Sequence, residues 1–166
     1  MAKEKATKQK SSKTVVVENK QQPSKTIVVD GTNHIAGRLC SHVAKLLLEG
    51  NRVSIVNCEN IMISGSKRSI LEEYKKFLEI SSIINPTFGP YHPRRPDTMI
   101  SKMVRGMLPR KKPSGQSAFK RLRAHIGVPS ELKGLDKIQF NDAKITRSVS
   151  NYTTMTELGQ SVGWTR

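Results

Sequence analysis

The 166-residue chain carries a net charge of +16 at pH 7 and is 36% hydrophobic, which suits one domain with part of the chain outside its core. Cys40 and Cys58 are too few for a disulfide framework, and we expect two buried free thiols. No stretch reaches the roughly 18 apolar residues of a membrane span, and no apolar segment follows the N-terminal lysines as in a secretory signal. We therefore expect a cytoplasmic protein with no membrane partner.

The excess charge lies in two parts of the chain. Residues 1–25 contain seven lysines and two acids, and residues 91–125 contain ten basic residues and one acid. Such clustering indicates a polyanionic partner. We predict a basic flexible extension over residues 1–25 and a single domain over residues 26–166. The extension either contacts the polyanion or is merely solvated, and the shared sign of charge favours contact.

The ordered part begins with a strand, a helix and a strand. A β-branched run, Thr26–Asp30, precedes a helical pattern that Asn33 or Thr32 can cap, and residues 52–57 form a second apolar strand. Gly37, inside the helix, is expected to permit close packing on the sheet. This βαβ pattern favours a parallel sheet.

Two more helices are predicted downstream. Apolar residues at helical spacing follow Ser69, which forms a capping-box pattern with Glu72. Another apolar stripe, from Met99 to Leu108, lies in a helix that begins at Pro96 and ends before Pro109. We expect this stripe to pack in the core.

The C-terminal part adds short elements. Residues 114–127 indicate a short helix running into a strand, residues 137–140 a further strand, and residues 153–164 a last helix capped by Thr153 or Thr154. Together with the βαβ start, they predict a three-layer α/β/α fold with a short, mainly parallel sheet of about four strands.

No cofactor or metal site is recognisable. Asn33 stands where the glycine fingerprint of dinucleotide binding needs a glycine. The segment 60–69 lacks the first glycine of a phosphate loop, and its lysine comes one residue late. Metal-ligand spacing is missing around the histidines His34, His42, His92 and His125. We expect no enzyme, metal, cofactor or small-molecule substrate; a nucleotide-binding α/β enzyme is the rival interpretation.

Two basic residues near a predicted helix start, Lys67 and Arg68, are a weaker sequence signal for a phosphate-binding site. Backbone amides there can hold a phosphate of a larger polymer, with both side chains beside it. A capped surface helix explains the same pattern equally well.

The segment 91–125 is the strongest functional signal. Its apolar stripe anchors a helix, prolines restrict the flanking loops, and glycines allow another backbone to approach, which suits a folded, phosphate-dense polymer. RNA is favoured over DNA because helix-turn-helix, zinc and leucine-zipper patterns are missing. The predicted contacts in this segment are His92, Arg94, Arg95, Lys102, Arg105, Gly106, Arg110, Lys111, Lys112, Lys120, Arg121 and Arg123.

Several segments are distinctive in combination: GPYHPRRP, VRGMLPRK, SGQSAFKRL and GVP. They closely resemble the central signature of the ribosomal protein L13 family. DGTNHIAGRLCSHVAKLLLEG is similar to the family's start, VNCENIMISGSK to its second strand and following loop, and ELGQSVGW to the end of archaeal and eukaryotic members. The resemblance covers about residues 26–166. Because the chain ends soon after GW, we expect an archaeal source.

The resemblance implies an α/β domain without catalysis that binds large-subunit rRNA directly and takes part in assembly of that subunit. The implied partners are this rRNA and neighbouring large-subunit proteins, and no homo-oligomer is expected. An extraribosomal RNA-binding regulator of translation is the alternative. The positions that match the family's motifs are Arg38, Arg94, Lys102, Arg105, Gly106 and Lys111.

Overall fold

The structure is a computed structural model that describes residues 26–146, 148 and 151–165. The predicted extension over residues 1–25 lies outside this range. Within it, no helix has the length and apolar character needed to cross a bilayer. The strands are β1 (Thr26–Asp30), β2 (Arg52–Val56), β3 (Met62–Ser64), β4 (Leu122–Ala124), β5 (Lys137–Ile138) and β6 (Tyr152–Thr154). The helices are α1 (Ala36–Leu48), α2 (Lys67–Glu79), α3 (Pro96–Met107), α4 (Pro113–Lys120) and α5 (Met155–Ser161).

Four strands form a parallel sheet in the order β4-β2-β1-β5. β1 and β2 pair along their whole length, from Thr26 opposite Arg52 to Asp30 opposite Val56. β5 is a two-residue edge strand, shorter than the four residues predicted. The predicted α/β fold with a mainly parallel sheet of about four strands is confirmed.

A second, two-stranded sheet is not predicted by the sequence pattern. β3 and β6 pair antiparallel, with Met62 opposite Thr154 and Ser64 opposite Tyr152. The amide of Met155 donates to the carbonyl oxygen of Ile61 at 2.9 Å, just beyond this pairing. The small sheet therefore ties the start of α5 to the chain that follows β2.

The hydrophobic core includes the inner faces of α1 and α3, which pack against each other. Leu39, Val43 and Leu47 of α1 and Ile100 and Val104 of α3 are fully buried. Their spacing of four residues matches the helical periodicity that predicts these helices. As a result α3 is held with one face inside the protein and its opposite face in solvent.

The two cysteines also belong to this core. Cys40 and Cys58 are buried free thiols, as predicted. Burial raises the pKa of each thiol to about 12, so both are protonated and unreactive at neutral pH.

The predicted side-chain caps of α1 are wrong. The N-cap residue is Ile35, whose side chain makes no capping bond. The Thr32 hydroxyl donates instead to Asp30 Oδ1 at 2.8 Å, and Asn33 takes a left-handed φ of 58° in the turn. The Ile35 amide donates to the carbonyl of Ala143 at 2.8 Å. Tertiary hydrogen bonding thus fixes the chain where a local cap is expected.

The predicted capping box of α2 is also wrong. Ser66 is the N-cap, and its hydroxyl accepts from the Ser69 amide at 3.3 Å. Glu72 pairs with Arg68 across one helical turn, at 3.0 Å. In α5 the predicted cap is confirmed, because Thr154 Oγ1 accepts from the Glu157 amide at 3.1 Å.

The expectation that Gly37 packs closely on the sheet is wrong. A Cβ built on Gly37 would meet nothing within 4 Å. The neighbouring residues Ala36, Leu39 and Cys40 form the buried face of α1, which leaves position 37 in solvent.

A polar cluster lies at the carboxyl ends of β1, β2 and β5. The Asp30 carboxylate accepts from the Thr32 amide and hydroxyl, from Asn57 Nδ2 at 2.9 Å and from Gln139 Nε2 at 3.1 Å. Burial raises the pKa of Asp30, but the hydrogen bonds from Asn57, Thr32 and Gln139 outweigh it and leave the pKa below its ordinary value. The charged carboxylate thus joins three strand ends.

Buried His34 joins the same edge to the segment after β5. Its Nδ1 donates to the carbonyl oxygen of Thr32 at 2.8 Å, and its Nε2 accepts from the Phe140 amide at 3.1 Å. The hydrogen bonds require the neutral ring with the proton on Nδ1, because a carbonyl only accepts and an amide only donates.

Asp30→Asn is expected to destabilise the protein at pH 7, since the amide replaces a charged acceptor of four donors. The folded-state pKa is lowered, so the stabilisation is present above the unfolded-state pKa of about 4 and is lost as the pH falls through the folded-state pKa. Thermal unfolding from pH 7 to pH 3 should show the two proteins converging in acid. Asp136→Asn, the same charge change at an exposed position, is the control; a pH-independent gap between wild type and Asp30→Asn would contradict the account.

Candidate nucleic-acid interface

Helix α3 carries the centre of the predicted basic surface. Met99, Ile100 and Val104 are buried, while Arg105 and Gly106 are exposed. Pro96 occupies the first turn of the helix, where its missing amide hydrogen leaves no intrahelical bond unmade. The buried stripe therefore fixes the direction in which the basic face points.

Asp97, the one acidic residue of segment 91–125, accepts hydrogen bonds at the start of α3. Asp97 accepts two hydrogen bonds from Arg95, at 2.9 Å and 3.2 Å, and one from the Thr98 amide at 2.8 Å. Its negative charge also lies at the positive end of the helix dipole. Asp97 thus stabilises the helix start and neutralises Arg95 locally.

The connection between α3 and α4 is tight. The Lys112 amide donates to the carbonyl of Pro109 at 3.0 Å, and the Gly115 amide donates to the carbonyl of Lys112 at 3.1 Å. A Cβ on Gly115 would overlap backbone atoms of Pro109, so this position requires glycine. The turn presents Arg110 and Lys111, both exposed, in a restricted geometry.

Two adjoining grooves lie on this surface. The first, the helix groove, has a volume of about 630 Å³ between α3 and α4. The second, the loop groove, has a volume of about 610 Å³ between α3 and residues 89–91. Arg105, Arg110 and Phe119 line both. Lys111 and Lys120 also line the helix groove, and Lys102 and Gly106 line the loop groove.

Lys102 attaches the loop before α3 to the helix. Its Nζ donates to the carbonyl of Tyr91 at 2.9 Å and lies 3.8 Å from the centre of the Phe77 ring. Burial lowers the pKa of Lys102 from its ordinary value. The ammonium group therefore holds the loop in place besides contributing charge to the groove.

Other contacts hold the same loop. His92 Nε2 donates to the carbonyl of Ile80 at 2.9 Å, and its ring lies edge-on to Phe77 with centroids 4.5 Å apart. The Tyr74 hydroxyl donates to the carbonyl of Pro93. The loop is thereby bound to α2 as well as to α3.

Several predicted contact residues lie outside both grooves. Lys67 pairs with Glu157 at 3.5 Å, and Arg38 donates to the carbonyl of Asp142 at 3.3 Å. The others outside the grooves are Arg68, His92, Arg94, Arg95, Lys112, Arg121 and Arg123. The structure thus brings together Lys102, Arg105, Gly106, Arg110, Lys111 and Lys120.

Two more of the outlying arginines, besides Arg38, bond to backbone carbonyls. Arg121 Nη2 donates to the carbonyl of Leu47 at 2.7 Å, at the C-terminal end of α1, and its side chain is partly buried. Arg123 donates to the carbonyl of Leu122 at 3.0 Å. Arg121 therefore helps to join α1 to β4.

Two aromatic residues of the site were not predicted from the sequence. Tyr91 lines the loop groove with 64% of its surface exposed, and Phe119 lines both grooves. Each is followed within a few residues by basic side chains. Aromatic residues interleaved with lysines and arginines are a sequence signal for nucleic-acid binding.

The sequence of this chain is similar to those of known proteins. The family model described as ribosomal protein L13 matches residues 24–131. The large ribosomal subunit protein uL13 of Aeropyrum pernix is 42% identical over 136 residues, which cover 81% of this chain and 88% of the relative. The proteins of the same name from Sulfolobus acidocaldarius and Methanococcoides burtonii are 40% and 43% identical, again over 81% of this chain and over 90% and 95% of their own lengths.

Gly115→Ala is expected to lower the free energy of unfolding by about 1–3 kcal/mol, because its Cβ would force the α3–α4 turn apart. Gly37→Ala is the matched control, a helical glycine with open space around it, and should be neutral or more stable by up to about 1 kcal/mol. Urea denaturation of both variants measures the difference. Equal stability of the two variants would contradict the tight turn.

Proposed function

The chain belongs to the ribosomal protein L13 family, of the archaeal type predicted, and from this premise we propose that it is a structural constituent of the large ribosomal subunit. It binds large-subunit rRNA directly through the grooves beside α3 and α4 and supports assembly of the subunit. Membership of this family identifies a structural protein and not an enzyme. Its expected location is the cytoplasm, within the large subunit.

The observation that carries the proposal is the convergence of cations on the two grooves. Lys102, Arg105, Arg110, Lys111 and Lys120 come from a helix, a turn and a second helix and line adjoining concave surfaces. Among the described residues, no acidic side chain lines either groove. Concentrated positive charge in a concave surface attracts a phosphate backbone.

The rigidity of the surface supports the same function. The α3–α4 turn is closed by backbone hydrogen bonds, and the loop before α3 is bonded through Lys102, His92 and Pro93. Groups that are already ordered lose less entropy when they bind. A folded RNA can therefore be recognised by its shape as well as by its charge.

The remaining predicted residues suit secondary contacts. Lys67 and Arg68 each pair with a glutamate, and Arg38 bonds to a carbonyl on another part of the surface. Because these groups already have protein partners, we assign the larger share of affinity to the grooves. Neighbouring large-subunit proteins are the further partners that we propose, and the chain acts without a second copy of itself.

Binding to an in vitro transcript of large-subunit rRNA is expected to depend steeply on salt. If six to ten phosphates are neutralised, the affinity should fall by about 10³ to 10⁵ between 50 mM and 200 mM salt, because bound counterions are released on binding. Filter binding across a salt series measures the slope. Weak binding that does not change with salt would contradict direct rRNA recognition by this surface.

The double reversal Arg105→Glu with Arg110→Glu should weaken rRNA binding at least about tenfold and make the salt slope less steep by about 2, since two phosphate contacts are lost. The fold should persist, because both side chains are exposed. Lys133→Glu with Lys137→Glu makes the same charge change outside the grooves and is the control. If the two double variants bind alike, net charge and not the grooves determines binding.

A further inference from the structure

The loop groove combines features that charge attraction alone does not require. Its lining includes two aromatic side chains, two arginines, one lysine, one threonine and one serine, in a volume of about 610 Å³. We propose that it receives one unpaired nucleotide of the bound RNA, with the base against the aromatic side chains and the phosphate beside the arginines. This inference rests on the proposed function and specifies what one part of the surface recognises.

Tyr91 is the first reason for this assignment. Its side chain is largely exposed although the loop that carries it is firmly held. Lys102 Nζ donates to the backbone carbonyl of Tyr91, and Pro90 and Pro93 restrict the backbone on either side of Tyr91. An exposed aromatic ring on a fixed backbone is a preorganised surface for stacking, because little entropy is lost when a base packs on it.

Phe119 supplies a second apolar contact in the same groove. It lies in α4, half-buried, and packs against the hydrophobic core. In a duplex both faces of each base are covered by stacked neighbours, so aromatic side chains reach the bases of unpaired nucleotides. The groove volume is within the range of about 300–1,000 Å³ of sites that enclose a small ligand.

The polar groups of the groove complement a nucleotide. Arg105 and Arg110 can contact its phosphate. The hydroxyl groups of Thr98 and Ser101 donate to the carbonyls of Arg95 and Asp97, at 2.9 Å and 2.8 Å. Because each hydroxyl hydrogen is already donated to a carbonyl, the oxygen lone pairs remain available to accept hydrogen bonds from a ligand. A base amino group or a ribose 2′-hydroxyl group provides the matching donor.

Other exposed apolar residues of the region lack this combination. Ile83, Ile84 and Phe88 are more exposed than Tyr91, but none of them lines the loop groove. Phe88, 85% exposed and three residues from Tyr91, therefore provides a matched aromatic control on the same loop.

The test compares wild type with Tyr91→Ala, Tyr91→Phe and Phe88→Ala. Binding is measured to the large-subunit rRNA transcript and to an RNA duplex of about 20 base pairs, which contains no unpaired base. Tyr91→Ala should bind the transcript about tenfold more weakly, the effect of removing one stacking partner. Its salt slope should be unchanged, because no charge is removed. Tyr91→Phe and Phe88→Ala should bind like wild type, and Tyr91→Ala should bind the duplex like wild type.

Three outcomes would overturn the inference. Equal affinities of Tyr91→Ala and Phe88→Ala for the transcript would remove the stacking role. An equal loss of affinity for the duplex would indicate a backbone contact. A salt slope of Tyr91→Ala less steep than that of wild type would indicate a lost phosphate contact and not a lost stacking contact. Unchanged thermal unfolding of Tyr91→Ala shows that any loss is not due to misfolding.

The result for wild type separates this inference from the proposed function. If wild-type protein does not bind the transcript, the proposed function fails and the inference fails with it. If wild type binds with a steep salt dependence while Tyr91→Ala is indistinguishable from Phe88→Ala, the proposed function stands and the nucleotide site alone is rejected.

Discussion

The burial of one face of α3 holds together a segment whose charges repel one another. Met99, Ile100, Val104 and Leu108 pack in the core, and burying each such side chain contributes about 1.5–3 kcal/mol. Two exposed unit charges 4 Å apart in water repel by about 1 kcal/mol. The apolar stripe therefore outweighs the repulsion of the neighbouring basic residues. The basic surface is stable before any RNA neutralises it because the opposite side of the same helix is anchored.

The structure indicates which features of this surface were accessible from the sequence. The stripe of α3 has a helical period, and Met99, Ile100, Val104 and Leu108 are buried as predicted, whereas Met107, which belongs to the same stripe, is 44% exposed. The parallel sheet follows from β-branched apolar runs separated by a helical pattern. These features depend on residues that are close in sequence, which is why pattern and spacing suffice to predict them.

Features that depend on distant residues were missed. β3 and β6 are three residues each and lie far apart in the chain, so neither carries a detectable pattern of its own. The caps predicted at Asn33 and Thr32 are wrong because of contacts with distant residues. The Thr32 hydroxyl donates to Asp30 in the polar cluster, and the carbonyl of Ala143 accepts from the Ile35 amide just before α1. In the basic segment, sequence gives the charge of Lys102 and Arg121 but not the carbonyls to which they donate.

The role of Lys102 links the fold to the selectivity of the site. A cation that merely attracted phosphate would gain from full exposure, yet this ammonium group is partly buried between an aromatic ring and a backbone carbonyl. In this position the ammonium group loses part of its hydration, and its contacts fix the loop that carries Tyr91 against α3. In the function that we propose, charge sets the affinity for any RNA, and the shape of the loop groove determines which RNA fits. The selectivity that we propose therefore depends on the contacts that the basic residues make within the protein as much as on their number.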